Sequence, residues 1–106
     1  MNPAHLPIGV FDSGLGGLTV LRAIHERLPW ESTIYFGDSG RTPYGTKSKD
    51  TIIKYSLQIA RFLLEKKVKM IVIACNTASS HAFEAVRNFA PVPVIEVITP
   101  GANAGA

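Results

Sequence analysis

Four short apolar runs, all rich in β-branched residues, are spaced along the chain. They cover Ile8 to Phe11 (IGVF), Thr33 to Gly37 (TIYFG), Met70 to Cys75 (MIVIAC) and Val92 to Ile98 (VPVIEVI). None of the runs alternates strictly between apolar and polar positions, which is the pattern of strands that are covered on both faces of a parallel sheet. We therefore predict four buried parallel strands.

The stretches between the runs carry apolar residues at helical spacing. Each stretch places them on one side of a helix, which predicts three amphipathic helices. Strands and helices then alternate as βαβαβαβ, and right-handed crossovers turn this order into an α/β fold with an open parallel sheet and helices on both faces. The predicted apolar faces comprise Leu18, Leu21, Ile24 and Leu28 in the first helix, Ile52, Tyr55, Ile59, Phe62 and Leu63 in the second, and Ala82, Ala85, Val86 and Phe89 in the third.

Length and composition describe a single soluble domain. The chain has 106 residues, of which 46% are hydrophobic and 18% are charged. No apolar run approaches the roughly 20 residues that a membrane span requires. The N-terminal sequence MNPAHLP has no basic region followed by an apolar stretch, so no cleaved secretory signal is predicted. A cytoplasmic protein without a membrane partner is therefore expected.

Charge and cysteine content argue against a nucleic-acid partner and against a metal site. The net charge of +3 comes from scattered residues, and the only local basic run, EKKVK, does not interleave with aromatic residues. No nucleic-acid partner is therefore predicted. A single cysteine cannot form an internal disulfide or a cysteine-rich metal site. No other spacing typical of metal ligands occurs, so the sequence predicts no metal site.

Three polar clusters follow the first three predicted strands. They are FDSGLGG at residues 11–17, GDSGRTPYG at 37–45 and CNTASS at 75–80. Ligands of open parallel α/β sheets bind outside the carboxyl ends of the strands, where loops lead into helix N-termini. The three clusters are therefore expected to meet at one crevice.

The first cluster is rich in glycine but lacks the spacing of the common nucleotide-binding motifs. Its glycines allow a tight turn whose backbone N–H groups, at the start of a helix, can receive an anion. Asp12 would repel such a ligand unless it meets an ammonium group or helps to move a proton. The alternative is that Asp12 and Ser13 are turn or helix-capping residues.

The second cluster places an aromatic residue between a rigid proline and a glycine, in the order Pro43, Tyr44 and Gly45. Irregular segments at a strand end often carry binding groups, so Tyr44 is a candidate ligand contact. The alternative is a surface aromatic residue that packs over the sheet edge.

The third cluster begins with Cys75, the only cysteine of the chain. Cysteine is commonly buried, and Cys75 could simply extend the strand. Its predicted place, as the last strand residue directly before a helix, instead puts it at the positive end of the helix dipole, which favours a reactive thiolate. Asn76 and Thr77 then offer polar groups to a substrate carboxylate or to the helix cap. No histidine is placed as a base for Cys75, which argues against a cysteine–histidine hydrolase.

Four blocks of the chain closely resemble, in order and spacing, the N-terminal half of glutamate racemases: IGVFDSGLGGLTVLRAI, IYFGDSGRTPYGTKS, IVIACNTASS and PVPVIEVITPGA. The resemblance implies an isomerase that needs no cofactor, interconverts L- and D-glutamate and supplies D-glutamate for peptidoglycan. It also implies two cysteines on opposite faces of the substrate Cα, of which Cys75 matches the one associated with the proton of the D-enantiomer. The implied site residues are Cys75 and Asp12 as catalytic groups and Asp12, Ser13, Tyr44, Gly45, Asn76 and Thr77 as substrate contacts.

The resemblance further implies an organisation in two domains. Residues 1–98 correspond to the first α/β domain of a racemase, which we expect to be incomplete here, and residues 99–106 to the start of a connection towards a second domain. Uncovered helix faces and an open sheet edge then predict self-association into a homo-oligomer. A relative of aspartate racemases and a non-catalytic binding module that retains the half-site remain as alternatives.

Overall fold

Residues 5–12, 17–41 and 44–96 are described by the computed structural model of the chain. The described strands are β1 (Ile8–Asp12), β2 (Thr33–Gly37), β3 (Met70–Ile73) and β4 (Val94–Glu96). They alternate with the helices α1 (Gly17–Arg27), α2 (Lys49–Glu65) and α3 (Asn76–Phe89), and two 3-10 turns, Ser39–Arg41 and Tyr44–Thr46, lie between β2 and α2. None of these described helices is long and apolar enough to cross a membrane.

The four described strands form one parallel sheet in the order β2-β1-β3-β4. β1 pairs with β2 from Ile8 opposite Thr33 to Asp12 opposite Gly37. On its other side β1 pairs with β3, and β3 pairs with β4. The predicted α/β fold with an open parallel sheet is confirmed, and the observed order makes β1 and β3 the two central strands.

Helices pack on both faces of the sheet, as predicted. One buried cluster lies between the sheet and the helices α2 and α3, and it includes Phe11, Ile59 and Ile73. A second cluster lies under α1, where partly buried residues of that helix pack against Val10 and Val72. Because side chains alternate along a strand, consecutive residues of β1 enter different cores.

Three strands have bounds that differ from the sequence prediction. β1 continues to Asp12, one residue beyond the predicted Phe11. β3 ends at Ile73 and does not reach Cys75, because Cys75 serves as the N-cap of α3. β4 spans Val94–Glu96 and is shorter than the predicted Val92 to Ile98, since Pro93 has no N–H group to donate to a sheet. The last two positions of that predicted run lie outside the described residues.

Three residues of the predicted apolar faces lie at the margin of the core. Phe62 and Phe89 remain 37% and 47% exposed, and Leu28, one residue beyond α1, is 37% exposed. The side chain of Leu18 lies outside the described part of the structure. The centres of the predicted faces of α2 and α3 are buried as expected, at Ile52, Ile59, Leu63, Ala82 and Val86.

Candidate active site

The strand order creates a switch point at the carboxyl ends of β1 and β3. The chain runs from β1 to β2 on one side, and then to β3 and β4 on the other; ligands of open α/β sheets bind where the strand order reverses in this way. Asp12 is the last residue of β1, and Cys75 lies two residues after β3. Backbone hydrogen bonds join the strand exits: Ala74 N donates to Phe11 O at 2.8 Å, and Asp38 N donates to Asp12 O at 3.0 Å. The three predicted polar clusters therefore start at adjacent points of one edge.

Asp12 is fully buried at the end of β1, where a charged side chain needs polar partners. Its Oδ1 accepts a hydrogen bond of 2.9 Å from the Tyr35 hydroxyl of β2. Burial, this hydrogen bond and the charge of Asp12 raise the pKa of Tyr35 to about 12, so the phenol is protonated at neutral pH and donates. Asp12 belongs to β1 and is not the cap of α1, which begins at Gly17. Ser13 lies outside the described residues.

Cys75 combines the two properties that the sequence presented as alternatives. Its side chain is 5% exposed and packs in the core between the sheet and α2–α3. It is also the N-cap of α3, and its Sγ accepts a hydrogen bond from Ala78 N at 3.5 Å. The first N–H groups of a helix have no intrahelical acceptor and stabilise negative charge. The thiol is therefore buried, and a donor for its charged form is already in place.

The first turn of α3 begins with Asn76, which is exposed, and Thr77, which is half-buried. Ser79 Oγ donates to Ile73 O at 3.4 Å, which ties this turn to the end of β3. Because the N–H groups of a first turn point at the space before the helix, the same turn can receive a substrate carboxylate. The predicted contacts Asn76 and Thr77 thus lie in the same turn as Ala78, whose N–H donates to the Cys75 sulfur.

Arg41 anchors the segment between β2 and α2. Its Nε donates to Asp38 Oδ2 at 2.9 Å, and its Nη1 donates to Gln58 Oε1 at 2.6 Å. The guanidinium also lies 3.8 Å from the centre of the Tyr55 ring. Gln58 and Tyr55 belong to α2, whereas Asp38 follows β2. One planar, charged side chain therefore fixes the start of the loop against the helix.

The second 3-10 turn, Tyr44–Thr46, lies against α3. Gly45 in this turn is exposed, and a Cβ at this position would have no atom within 4 Å. Its backbone therefore borders open space that a ligand can occupy, next to the helix that begins with Asn76 and Thr77. The side chain of Tyr44 lies outside the described part of the structure, and its role as a substrate contact stays a prediction.

Sequence reasoning missed three residues that hold the Asp12 carboxylate and the loop after β2 in place, namely Tyr35, Asp38 and Arg41. Tyr35 falls inside an apolar run, so the pattern predicts only a strand, and its contact with Asp12 depends on how β1 and β2 pair. Asp38 and Arg41 form an ion pair at i, i+3 spacing inside the second polar cluster. That spacing of opposite charges was the available signal.

Known proteins share both the sequence and the fold of this chain, although no protein-family model matches it. The glutamate racemase of Geobacter metallireducens is 57% identical over 99 residues, which cover 93% of this chain and 37% of that protein. The structure of glutamate racemase from Aquifex pyrophilus matches with a TM-score of 0.90 at 54% identity, over 93% of this chain and 39% of that one. The chain is homologous to the N-terminal part of glutamate racemases.

A ligand-bound glutamate racemase is among the matching structures. The structure of the Francisella tularensis enzyme in complex with D-glutamate matches 95% of this chain at 52% identity, with a TM-score of 0.90. The chain spans between 37% and 39% of the length of these three relatives, and the match lies in the N-terminal part of the glutamate racemases.

Proposed function

We propose that this chain carries one of the two proton-transfer groups of a glutamate racemase, and that the group is the thiol of Cys75. The observation that carries the proposal is the place of Cys75 at the switch point of the sheet, with Ala78 N donating to its Sγ. It occurs in a chain that is 57% identical to a glutamate racemase. A thiolate held at a helix start is a suitable base for a proton on carbon.

Racemisation of glutamate requires an acid–base group on each face of Cα. Cys75 as a thiolate takes the α-proton of D-glutamate, which leaves a carbanion at Cα and a neutral thiol. A second group on the opposite face then gives its proton to Cα and yields L-glutamate; the reverse reaction uses the two groups in the opposite order. This chain contains one cysteine, so the second cysteine of the proposed mechanism belongs to polypeptide outside these 106 residues.

Asp12 is the proposed partner of the substrate ammonium group and assists proton transfer at Cys75. A buried carboxylate is costly unless opposite charge or hydrogen bonds accompany it, and an ammonium ion at the end of β1 supplies that charge. The start of α3 receives a substrate carboxylate, because helix N-termini bind anions. The proposed substrate contacts other than Asp12 are Ser13, Tyr44, Gly45, Asn76 and Thr77.

The proposed reaction needs no cofactor and takes place in the cytoplasm, in an enzyme of two domains. No cofactor takes part, and the D-glutamate formed supplies peptidoglycan synthesis in the cytoplasm. Residues 1–98 form the first α/β domain, and residues 99–106 lead towards a second one. Among the described residues, no group of three or more His, Cys, Asp and Glu side chains is placed to hold a metal ion.

A chimera tests the proposed activity. The 99 residues of this chain that match the Geobacter metallireducens racemase replace their counterparts in that protein, and circular dichroism follows the conversion of L-glutamate. We expect racemisation, a loss of about 10^2-fold or more with Cys75→Ala, and slower turnover with Asp12→Asn, which should weaken substrate affinity by a smaller factor than it lowers the rate. A folded chimera without activity would contradict the proposal, and so would a Cys75→Ala chimera with full activity.

The isolated chain provides the second arm of the test. It offers Cys75 on one face of a substrate and leaves the crevice open to water, so charge that develops at Cα is poorly stabilised. We expect no measurable racemisation from it. Racemisation by the 106-residue chain alone would overturn the two-group mechanism. Glutamate binding by the chain together with an inactive chimera would favour a binding module.

A further inference from the structure

The Tyr35 hydroxyl of β2 holds the carboxylate of Asp12, and Gly37 of the same strand leaves room for that hydroxyl. The Tyr35 hydroxyl donates a hydrogen bond of 2.9 Å to Asp12 Oδ1. Asp12 stands opposite Gly37 in the parallel ladder, two residues beyond the pair formed by Val10 and Tyr35. A Cβ at Gly37 would lie 2.9 Å from the Tyr35 hydroxyl and 3.2 Å from Cε2 of its ring. The ring tip therefore occupies the space that a side chain at position 37 would fill, and from there the hydroxyl reaches Asp12.

We propose that Tyr35 is a positioning residue for Asp12 in the racemase half-site, and that Gly37 is required because it admits the Tyr35 hydroxyl. The inference rests on the proposed function, in which Asp12 meets the substrate. A carboxylate that accepts a hydrogen bond at one oxygen cannot rotate about its terminal torsion without breaking that bond. Fixing Oδ1 thus fixes the direction of the second oxygen as well.

The contact is suited to this role by its surroundings. Asp12 is 0% exposed, so water does not compete for its Oδ1, and a hydrogen bond to an ionised acceptor is stronger than one between neutral groups. The pKa of Tyr35 is raised to about 12, first by burial and then by Asp12. The hydroxyl therefore keeps its proton and stays a donor across the working pH range.

Two substitutions separate the hydroxyl from the ring. Tyr35→Phe removes the donor and leaves the ring over Gly37. Gly37→Ala keeps the donor but displaces it, since the atom that a new Cβ would meet is the far end of the Tyr35 side chain, which can move while the strand stays in place. Gly40→Ala is the matched control, because a Cβ at Gly40 has no atom within 4 Å.

The kinetic arm uses the racemase chimera and its Asp12→Ala variant. Tyr35→Phe and Gly37→Ala should each lower kcat by roughly 10-fold to 10^2-fold, as misplacement of a catalytic group does, while Gly40→Ala leaves kcat unchanged. In the Asp12→Ala background, Tyr35→Phe should have no further effect. A merely structural tyrosine would lower the rate by the same factor in both backgrounds, so that result overturns the inference, as does a Tyr35→Phe enzyme with full kcat.

The second arm needs no activity. In the 106-residue chain, NMR of the Tyr35 Cζ resonance follows ionisation of the phenol above pH 9, with circular dichroism as a check that the fold persists. Asp12→Ala and Gly37→Ala should both lower the pKa of Tyr35 towards its usual value, and Gly40→Ala should not. Unchanged ionisation in both variants overturns the inference. A clear shift in this arm, together with a chimera that does not racemise glutamate, would instead refute the proposed function.

Discussion

At the scale of single residues, Cys75 has a structural role as a helix cap in addition to its proposed role in proton transfer. Its Sγ accepts the hydrogen bond of Ala78 N, and so caps the helix that carries Asn76 and Thr77. Replacing Cys75 by alanine therefore removes a helix cap together with the thiol. A loss of activity in that variant has two explanations, and a serine at the same position distinguishes them, because serine retains an acceptor for the cap.

The cap predicts a difference in stability between two variants of Cys75. We expect Cys75→Ala to lower the free energy of unfolding by about 1 kcal/mol, the usual cost of losing an N-cap acceptor, and Cys75→Ser to lower it by less. Both variants of the chimera should lose racemase activity. Urea unfolding followed by circular dichroism measures the unfolding free energies of the two variants and of the unchanged chain. Equal stability of the alanine variant and the unchanged chain would show that the Cys75 sulfur does not cap α3.

The raised pKa of Tyr35 predicts how stability depends on pH. Unfolded tyrosine ionises near pH 10, whereas Tyr35 in the folded chain ionises near 12. Between these values the unfolded state releases a proton that the native state retains, so the free energy of unfolding falls as pH rises. The stabilising effect is complete below pH 10 and lost above about 12.

Urea unfolding between pH 8 and 11.5, with Tyr35→Phe as the reference, isolates this effect from the ionisation of lysine. We expect the difference in unfolding free energy between the two proteins to be constant up to about pH 10. Above that pH the unfolding free energy of the unchanged chain should fall relative to that of Tyr35→Phe, because only the unchanged chain has Tyr35 to ionise. Parallel curves over the whole range would mean that the Tyr35 phenol is not held by Asp12.

At the scale of elements, the packing of β1 on α2 depends on a glycine. A Cβ at Gly9 would lie 3.1 Å from Val68 Cγ1 and 3.2 Å from Leu63 Cδ1. Both neighbours are buried in the core between the sheet and α2–α3, so they have little room to move.

We therefore expect Gly9→Ala to destabilise the fold by about 1 to 3 kcal/mol, the usual range for overpacking a core. Gly40→Ala, where a Cβ meets nothing within 4 Å, is the control and should change stability by less than about 0.5 kcal/mol. Thermal unfolding of the two variants beside the unchanged chain provides the comparison. A Gly9→Ala chain as stable as the control would show that the helix and the strand are further apart.

The order and type of the elements and both ends of β2 could be predicted from the sequence, but the ends of β1, β3 and β4 could not. Apolar, β-branched runs mark buried parallel strands because both faces of such strands are covered. The end of β3 is decided by competition with the cap of α3, which takes Cys75 out of the strand. The contact between Tyr35 and Asp12 needs the register of β1 with β2, and an unbroken apolar pattern does not specify register.

At the scale of the whole molecule, the candidate site lies where the order β2-β1-β3-β4 reverses direction. The position of the three polar clusters after the first three strands was enough to predict that they share one edge, because parallel strands end together. Which side chains meet there was not predictable, since the loop after β2 takes its shape from Arg41 and its contacts with α2.

Exposed apolar surface predicts self-association of the chain. Trp30 is 73% exposed, and Ile95 of the outer strand β4 is 46% exposed, beside a sheet edge that can pair with another strand. We expect a concentration-dependent oligomer in analytical ultracentrifugation, and a shift towards monomer with Ile95→Lys, which puts a charge on the edge strand. A monomer at every concentration tested would contradict this expectation.

The position of deuterium in the product tests the central claim, that Cys75 is one of two groups acting on opposite faces of Cα. The chimera and its Cys75→Ser variant are incubated with L-glutamate in D2O, and NMR follows the Cα proton of each separated enantiomer. During the first turnovers we expect deuterium in D-glutamate, hydrogen retained in the remaining L-glutamate, and a loss of turnover of about 10^2-fold or more in the variant. Deuterium entering L-glutamate as fast as D-glutamate, or full turnover by Cys75→Ser, would contradict the account.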